Sequence, residues 1–184
     1  MKLMIASDIH GSAYYAQKLV DAFHTEQAGR LLLLGDLLYH GPRNRLPRDY
    51  DCMRTAEILG TVWERIIAVR GNCDSEVDQA VLGFPMMADY AMLDWEGVTL
   101  YATHGHLWNE EFPPPLPNGA VLLNGHTHIA ECRLMEDMHE FLYVNPGSVS
   151  LPKENSVNGY LTLESGVFTW KDMSGRTGRT YTVA

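Results

Sequence analysis

Arg30-Leu31-Leu32-Leu33-Leu34-Gly35-Asp36 is a short, unbroken apolar run that stops on a glycine and an acid. A run of this kind, closed by a turn residue, reads as a strand buried on both faces. On either side lie two more: residues 2–7, ending at Asp8, and Arg65-Ile66-Ile67-Ala68-Val69-Arg70. The segments between them carry helical spacing. Tyr15, Leu19, Val20 and Phe23 share one face of a helix expected over residues 12–28, with Ser12 as its N-cap. A second helix is expected over residues 51–63. The order β-α-β-α-β predicts a parallel sheet covered by helices.

The second half changes character. Residues 88–95 and 98–103 read as strands joined through Glu96-Gly97, a hairpin-like turn. Further strands are expected at 120–124, 129–135 and 140–144. Residues 158–183 read as a closing set with turns at Glu164-Ser165-Gly166 and Ser174-Gly175. The expected fold is α/β, with two packed sheets and helices outside. Phe112-Pro113-Pro114-Pro115-Leu116-Pro117 should be a stiff extended loop, because each proline fixes its φ. A length of 184 residues fits one domain spanning 1–184.

Composition excludes several classes. The first apolar run is too short for a signal peptide and is interrupted by Asp8. No run approaches the roughly 18–20 residues of a membrane span. The expectation is a cytoplasmic protein with no membrane partner. Cys52, Cys73 and Cys132 are scattered and odd in number, which disfavours a disulfide framework or a thiolate zinc site. A net charge of −9 argues against a sequence-blind nucleic-acid binder, which needs a basic face. It does not exclude a phosphate substrate, because bound divalent cations supply local positive charge.

Four short clusters stand at the ends of predicted strands. They are Asp8-Ile9-His10-Gly11, Gly35-Asp36, Gly71-Asn72-Cys73-Asp74, and a histidine set split between His104-Gly105-His106 and Gly125-His126-Thr127-His128. Ligand sites of open α/β sheets lie at such ends. Imidazole with carboxylate suits Mn, Fe, Zn or Ni. Asp8 and His10, two residues apart, can both face one ion if the chain leaves its strand in a tight turn; His126 and His128 share that spacing. A carboxylate such as Asp36 can bridge two ions, which a neutral imidazole cannot. Two ions roughly 3.5–4 Å apart would hold a hydroxide between them and clamp both oxygens of an in-line displacement.

The ordered set D-x-H, G-D, G-N-x-D, H-G-H and G-H-T-H resembles the calcineurin-like metallophosphoesterases. Each motif alone is weak, but five in order are specific, and they extend from Asp8 to Asn145-Pro146-Gly147-Ser148. The third motif reads Gly-Asn-Cys-Asp, which, with the short length, is similar to the small bacterial phosphodiesterase branch of that family. The resemblance implies a four-layer α/β/β/α sandwich. It implies that Asp8, His10 and His128 hold a first divalent metal, that Asn72, His104 and His126 hold a second, and that Asp36 bridges. It favours Mn²⁺, with Fe, Ni and Zn also admitted, and a small phosphodiester as substrate. Runner-up readings are a phosphomonoesterase, a nuclease, or a weakly active scaffold of the same fold; a homo-oligomer stays open. All seven ligand positions are chemically competent, which favours catalysis over scaffolding.

The wider family places a histidine, read as general acid, where this chain has Cys73. A thiol, with a reference pKa near ~8.5, is a weak donor. His106 is a second candidate for acid or phosphate contact; its alternative is to orient His104 or substrate. Asp74 is expected to cap a helix starting near Ser75. Gly41-Pro42-Arg43-Asn44-Arg45-Leu46-Pro47-Arg48 is a locally basic loop that either covers the metal site or is simply solvated, the latter slightly favoured. Trp108 and Phe112 either wall the cleft or are buried. His24, His40 and His139 are assigned to surface or loops. Losing a general acid costs on the order of 10²–10⁴-fold with a poor leaving group and less with a good one. Cys73→His should therefore raise kcat/KM on an alkyl phosphoester more than on an aryl one. Equal kinetics of the two proteins on the alkyl ester would remove the general-acid argument.

Overall fold

The structure, a computed structural model, describes residues 1–136 and 140–183. The predicted order is present; most elements are slightly shorter than their apolar pattern, while β5 matches its expected 98–103 and β8 runs two residues past its expected end at 144. β1 (Leu3–Ala6), α1 (Ala13–Thr25), β2 (Arg30–Leu33), α2 (Cys52–Gly60) and β3 (Ile66–Ala68) fill the first part, and α3 (Glu76–Leu82) follows. The second part contains β4 (Tyr90–Trp95), β5 (Val98–Thr103), β6 (Ala120–Leu123), β7 (Ala130–Met135) and β8 (Phe141–Pro146). β9 (Gly159–Glu164), β10 (Val167–Asp172) and β11 (Thr177–Thr182) close the chain. Ser12 caps α1 as expected, its hydroxyl accepting the Tyr15 N–H. His139 lies outside the described residues.

Two mixed sheets result. One runs β11-β10-β9-β1-β2-β3, with β1, β2 and β3 parallel and β9 antiparallel to β1. The other runs β4-β5-β6-β8-β7, parallel at its centre and antiparallel at both edges. Successive side chains on a strand point to opposite faces. Met4, Ala6, Leu31 and Leu33 therefore face α1 and α2, while Leu3, Ile5, Leu32 and Leu34 face the second sheet. That double burial is why β1 is apolar at every position and β2 at every position after the exposed Arg30. The inter-sheet layer is completed by Leu100, Val121, Leu123 and Val144. Hydrogen bonds join the two sheets as well, from the Trp170 indole N–H to the Asn145 carbonyl at 2.9 Å and from the Arg179 guanidinium to the Cys132 carbonyl at 3.0 Å.

The helices are distributed unevenly. α1, α2 and α3 all pack on the outer face of the six-stranded sheet. The outer face of the five-stranded sheet carries Tyr101, Leu122, Phe141 and Tyr143, and is covered by Trp108 and Leu116 from the 104–119 segment. The fourth layer of the expected sandwich is thus an irregular chain rather than a helix. Pro113, Pro114, Pro115 and Pro117 remove the amide protons a helix would need there.

Glu26, the C-cap residue of α1, ties the helix to the sheet. Its carboxylate accepts from Lys2 at 2.9 Å, Lys171 at 2.6 Å and the Tyr160 hydroxyl at 3.0 Å, with its side chain 8% exposed. Burial alone would raise its pKa, but the bonds from Lys171, Lys2 and Tyr160 outweigh burial and hold the carboxyl below its ordinary range. The sign follows for a depressed acid: the stabilisation is complete above the reference value of 4.5 and is lost as pH falls through the lowered folded value. Glu26→Ala should cost about 2–3 kcal/mol in urea unfolding at pH 7. The gap from wild type should narrow by pH 3, and a pH-independent gap would contradict this account.

Candidate metal centre

Every cluster singled out in the sequence lies just past a strand's carboxyl end, and the two sheets bring these ends together. Asp8 follows β1, Asp36 follows β2 and Asn72 follows β3; His104 follows β5, and His126 and His128 follow β6. The chain leaves its strands through left-handed backbone: φ is 59° at Asp8, 50° at His10, 55° at Asp36, 66° at His126 and 64° at His128. Asp, Asn and His tolerate this region better than most side chains, yet each such position costs on the order of 1 kcal/mol. Backbone bonds hold the turns in place: Asp8 N to Gly35 O at 3.1 Å, His10 N to Asp36 O at 2.9 Å and Gly11 N to Leu37 O at 2.9 Å. Gly71 is required by close approach, since a Cβ there would overlap the Asp36 carboxylate.

Three imidazoles are oriented in the same way. Nδ1 of His10, His104 and His128 lies 2.7, 2.6 and 2.7 Å from the carbonyls of Tyr39, Leu34 and Leu151. A carbonyl only accepts, so each Nδ1 carries the proton and each Nε2 presents a lone pair. These lone pairs face other acceptors. His10 Nε2 is 3.2 Å from His128 Nε2, and Asp8 Oδ1 is 3.6 and 3.2 Å from the two. His104 Nε2 is 3.1 Å from Asn72 Oδ1 and 3.2 Å from His126 Nδ1. Asp36 Oδ2 stands between the groups, 3.7 Å from His10 Nε2 and 3.5 Å from His104 Nε2. Its Oδ1 accepts the Cys73 N–H at 2.8 Å.

This arrangement fits divalent metal. Donor atoms about 2.1 Å from an ion and at right angles to one another stand about 3 Å apart, close to the spacing found. Asp8 Oδ1 is buried with no hydrogen-bond donor, as a ligand oxygen would be before an ion binds. Two carboxylates among neutral imidazoles call for positive charge. Protonation pKa values respond accordingly. Burial lowers His104, but the hydrogen bond to Asp36 and the charges of Asp8 and Asp36 overcome it and lift the imidazole to about 9. Asp8 is driven well below the usual carboxylate range by His10 and His128, against its own burial.

The remaining residues fall into place around this centre. Burial, then Asp36, pushes the Cys73 thiol up to about 12, and Sγ accepts from Asn72 Nδ2 at 3.3 Å. Burial and the neighbouring His104 and His126 push His106 down to about 4; its ring lies 5.4 Å from that of His104. Asp74 does not cap α3, whose N-cap is Ser75 in a reciprocal box with Asp78. Its carboxylate instead accepts three backbone N–H groups, from Asp36 at 2.8 Å, Leu37 at 2.9 Å and Gly71 at 2.7 Å. It thereby fixes the Asp36 turn against the Asn72 loop. Two serines were not singled out in the sequence: Ser148 and Ser150 donate to the Asp8 carbonyl at 2.8 and 3.2 Å. The only sequence hint was the Asn145-Pro146-Gly147-Ser148 turn.

A cleft of ≈ 400 Å³ opens on the centre between residues 41–44 and residues 126–128, and Cys73 and Lys153 also line it. The basic loop therefore does border the metal site, but not with all its arginines. Arg43 lines the cleft, whereas the Arg48 guanidinium lies 3.6 Å over the Tyr14 ring. Trp108 packs against Tyr90 and Tyr101, and Phe112 is 70% exposed; neither lines the cleft. A larger cleft of ≈ 630 Å³ between α1 and α2 contains none of the seven clustered residues.

The chain is similar to known proteins in sequence and in fold. Phosphodiesterase YfcE of Escherichia coli (strain K12) is 45% identical over 169 residues, covering 92% of this chain and 90% of its own. The solved structure of Yfce, a phosphoesterase from E. coli, superposes with a TM-score of 0.92 at 40% identity over the full length of both chains. Vps29 of Entamoeba histolytica complexed with Zn²⁺ shares the fold at a TM-score of 0.64 and 19% identity, over 100% of each chain. Residues 1–166 match the calcineurin-like phosphoesterase superfamily domain, so the chain belongs to that superfamily and is a metal-dependent phosphoesterase.

Proposed function

We propose that the chain is a phosphodiesterase that hydrolyses a small phosphodiester with the help of two divalent transition-metal ions. The observation that carries this reading is the convergence of two donor groups on the single Asp36 oxygen. Asp8 Oδ1, His10 Nε2 and His128 Nε2 would hold one ion; Asn72 Oδ1, His104 Nε2 and His126 Nδ1 the other; Asp36 Oδ2 would touch both. When bound, two such ions supply Lewis acidity toward the phosphoryl oxygens and lower the pKa of the attacking water in an in-line displacement. Mn²⁺ is the first choice, and the same imidazole and carboxylate set also suits Fe, Ni and Zn.

The protein's own groups decide which ester is cleaved. The Tyr39, Leu34 and Leu151 carbonyls fix the Nδ1 protons of three imidazoles and aim their Nε2 atoms at the centre, so the rings need no rotation to present them. Cys73 borders the cleft as a thiol that accepts from Asn72 and is a poor proton donor. His106 lies beside His104 and His126, with ring centroids 5.4 and 6.3 Å away, and its buried Nδ1 has no hydrogen-bond partner among the described residues. With no strong acid at the leaving group, an ester with a good leaving group is favoured. The name phosphodiesterase carried by the 45% identical relative supports the same choice, and a cleft of ≈ 400 Å³ suits a small molecule rather than a polymer.

Protein stripped with a chelator should be inactive and should regain hydrolysis of bis(4-nitrophenyl) phosphate on Mn²⁺ titration, with much weaker hydrolysis of 4-nitrophenyl phosphate. Metal-independent turnover, or a preference for the monoester, would overturn the proposal. Asp36→Asn should lower kcat on the diester by at least about 10²-fold, with thermal unfolding still cooperative. A loss of less than tenfold would remove Asp36 from its bridging role.

A further inference from the structure

The substrate-binding surface contains charge that the reaction centre does not use. The chain has 23 acidic and only 14 basic residues, and many of its basic side chains are already engaged. Lys2 and Lys171 pair with Glu26, Arg70 with Asp89, Arg133 with Glu110 and Arg176 with Asp172. Arg48, Arg65 and Arg179 lie over aromatic rings. Arg43 and Lys153 do neither; among the described residues no carboxylate pairs with them, and both line the cleft beside the metal ligands. The sole carboxylate lining that cleft is Asp36, which faces His10 and His104.

Both cations sit on backbone that the metal turns hold. Lys153 N donates to the carbonyl of His128 at 3.1 Å. Arg43 is carried on a turn closed by Asn44 N to Gly41 O at 3.2 Å and by Asn44 Nδ2 to His40 O at 2.9 Å. A Cβ added at Gly41 would meet Cys73 Sγ at 3.0 Å, so this turn abuts the Asn72–Cys73 loop. Both cations therefore border one cleft, Arg43 from the 41–44 turn and Lys153 from the segment bonded to His128. A guanidinium and an ammonium placed this way match a phosphate, the first by its planar fork and the second as a point charge.

Resting on the phosphodiesterase reading, we infer that Arg43 and Lys153 form an anion subsite and that the substrate is a small phosphodiester one arm of which bears a further phosphate. The scissile diester, a monoanion, is met by the metal centre. The second, more highly charged phosphate is met by the two side chains.

Two chromogenic substrates with the same leaving group separate the cases: thymidine 5′-(4-nitrophenyl phosphate) and the same ester carrying a 3′-phosphate. Wild type loaded with Mn²⁺ should prefer the 3′-phosphorylated ester in kcat/KM. Arg43→Ala and Lys153→Ala should each reduce that preference, and the double variant should reduce it by roughly tenfold. Raising ionic strength should reduce it too, because exposed charges are screened. Arg45→Ala, an exposed change on the same loop outside the cleft, should leave the preference intact. No preference in wild type, or an equal drop with Arg45→Ala, overturns the subsite. Failure of bis(4-nitrophenyl) phosphate hydrolysis would instead overturn the phosphodiesterase reading. In that event calorimetric binding of thymidine 3′,5′-bisphosphate decides the subsite: equal affinity of wild type and an Arg43→Glu, Lys153→Glu variant overturns it, and loss in the variant supports it.

Discussion

Three imidazole protons are committed to backbone carbonyls, and from that commitment the rest of the site follows. Because His10, His104 and His128 each give their Nδ1 proton to a carbonyl, their Nε2 lone pairs must turn inward, onto Asp8, Asp36 and one another. Such a cluster of acceptors is unfavourable without positive charge at its centre. The fold tolerates it by fixing each member separately. Asp74 holds the Asp36 turn with three N–H bonds, and Ser148 and Ser150 hold the Asp8 carbonyl. His126 is held through its own N–H to Asp8 Oδ2 at 3.0 Å.

The left-handed turns show how local cost and global fold are balanced. Five strained, non-glycine residues together cost an amount comparable to a sizeable part of a domain's net stability. These five lie at strand exits, where the neighbouring strand's exit supplies bonding partners; the other left-handed non-glycine residues, such as Gln27, Asp49 and Glu96, lie in turns away from the centre. The strain is not spread into the paired strands, where β1 and β2 run in regular parallel register and are apolar from Leu3 to Ala6 and from Leu31 to Leu33.

Much of this was legible in the sequence because burial writes itself into residue type. A strand covered on both faces must be apolar throughout, so β1 and β2 announced themselves, as did the placement of the seven candidate ligands just past strand ends. Other features depend on neighbours that no local pattern reveals. Asp74 sits where a cap would sit, and only the approach of the Asp36 turn gives it a different task. Arg43 and Arg48 are alike in composition, yet Tyr14, supplied by α1, claims one of them. That His104 turns its Nε2 inward depends on the Leu34 carbonyl behind its ring, and that His126 turns its Nδ1 inward is equally invisible in a one-dimensional pattern. The missing outer helix was foreshadowed by the proline run, whose stiffness was read correctly but whose role as a covering layer was not.

The donors are divided between the sheets. Asp8, His10, Asp36 and Asn72 follow strands of the six-stranded sheet, and His104, His126 and His128 follow strands of the five-stranded one. His10 and His128 meet across 118 positions of chain, and His104 and Asn72 across 32. A nascent or partly folded chain can carry every one of these side chains and still have no site, because contacts of such sequence separation form only when the sheets have docked. On the proposed metal reading, competence to bind an ion would be a late acquisition on the folding route, and occupancy of the centre would report that the whole sandwich has closed.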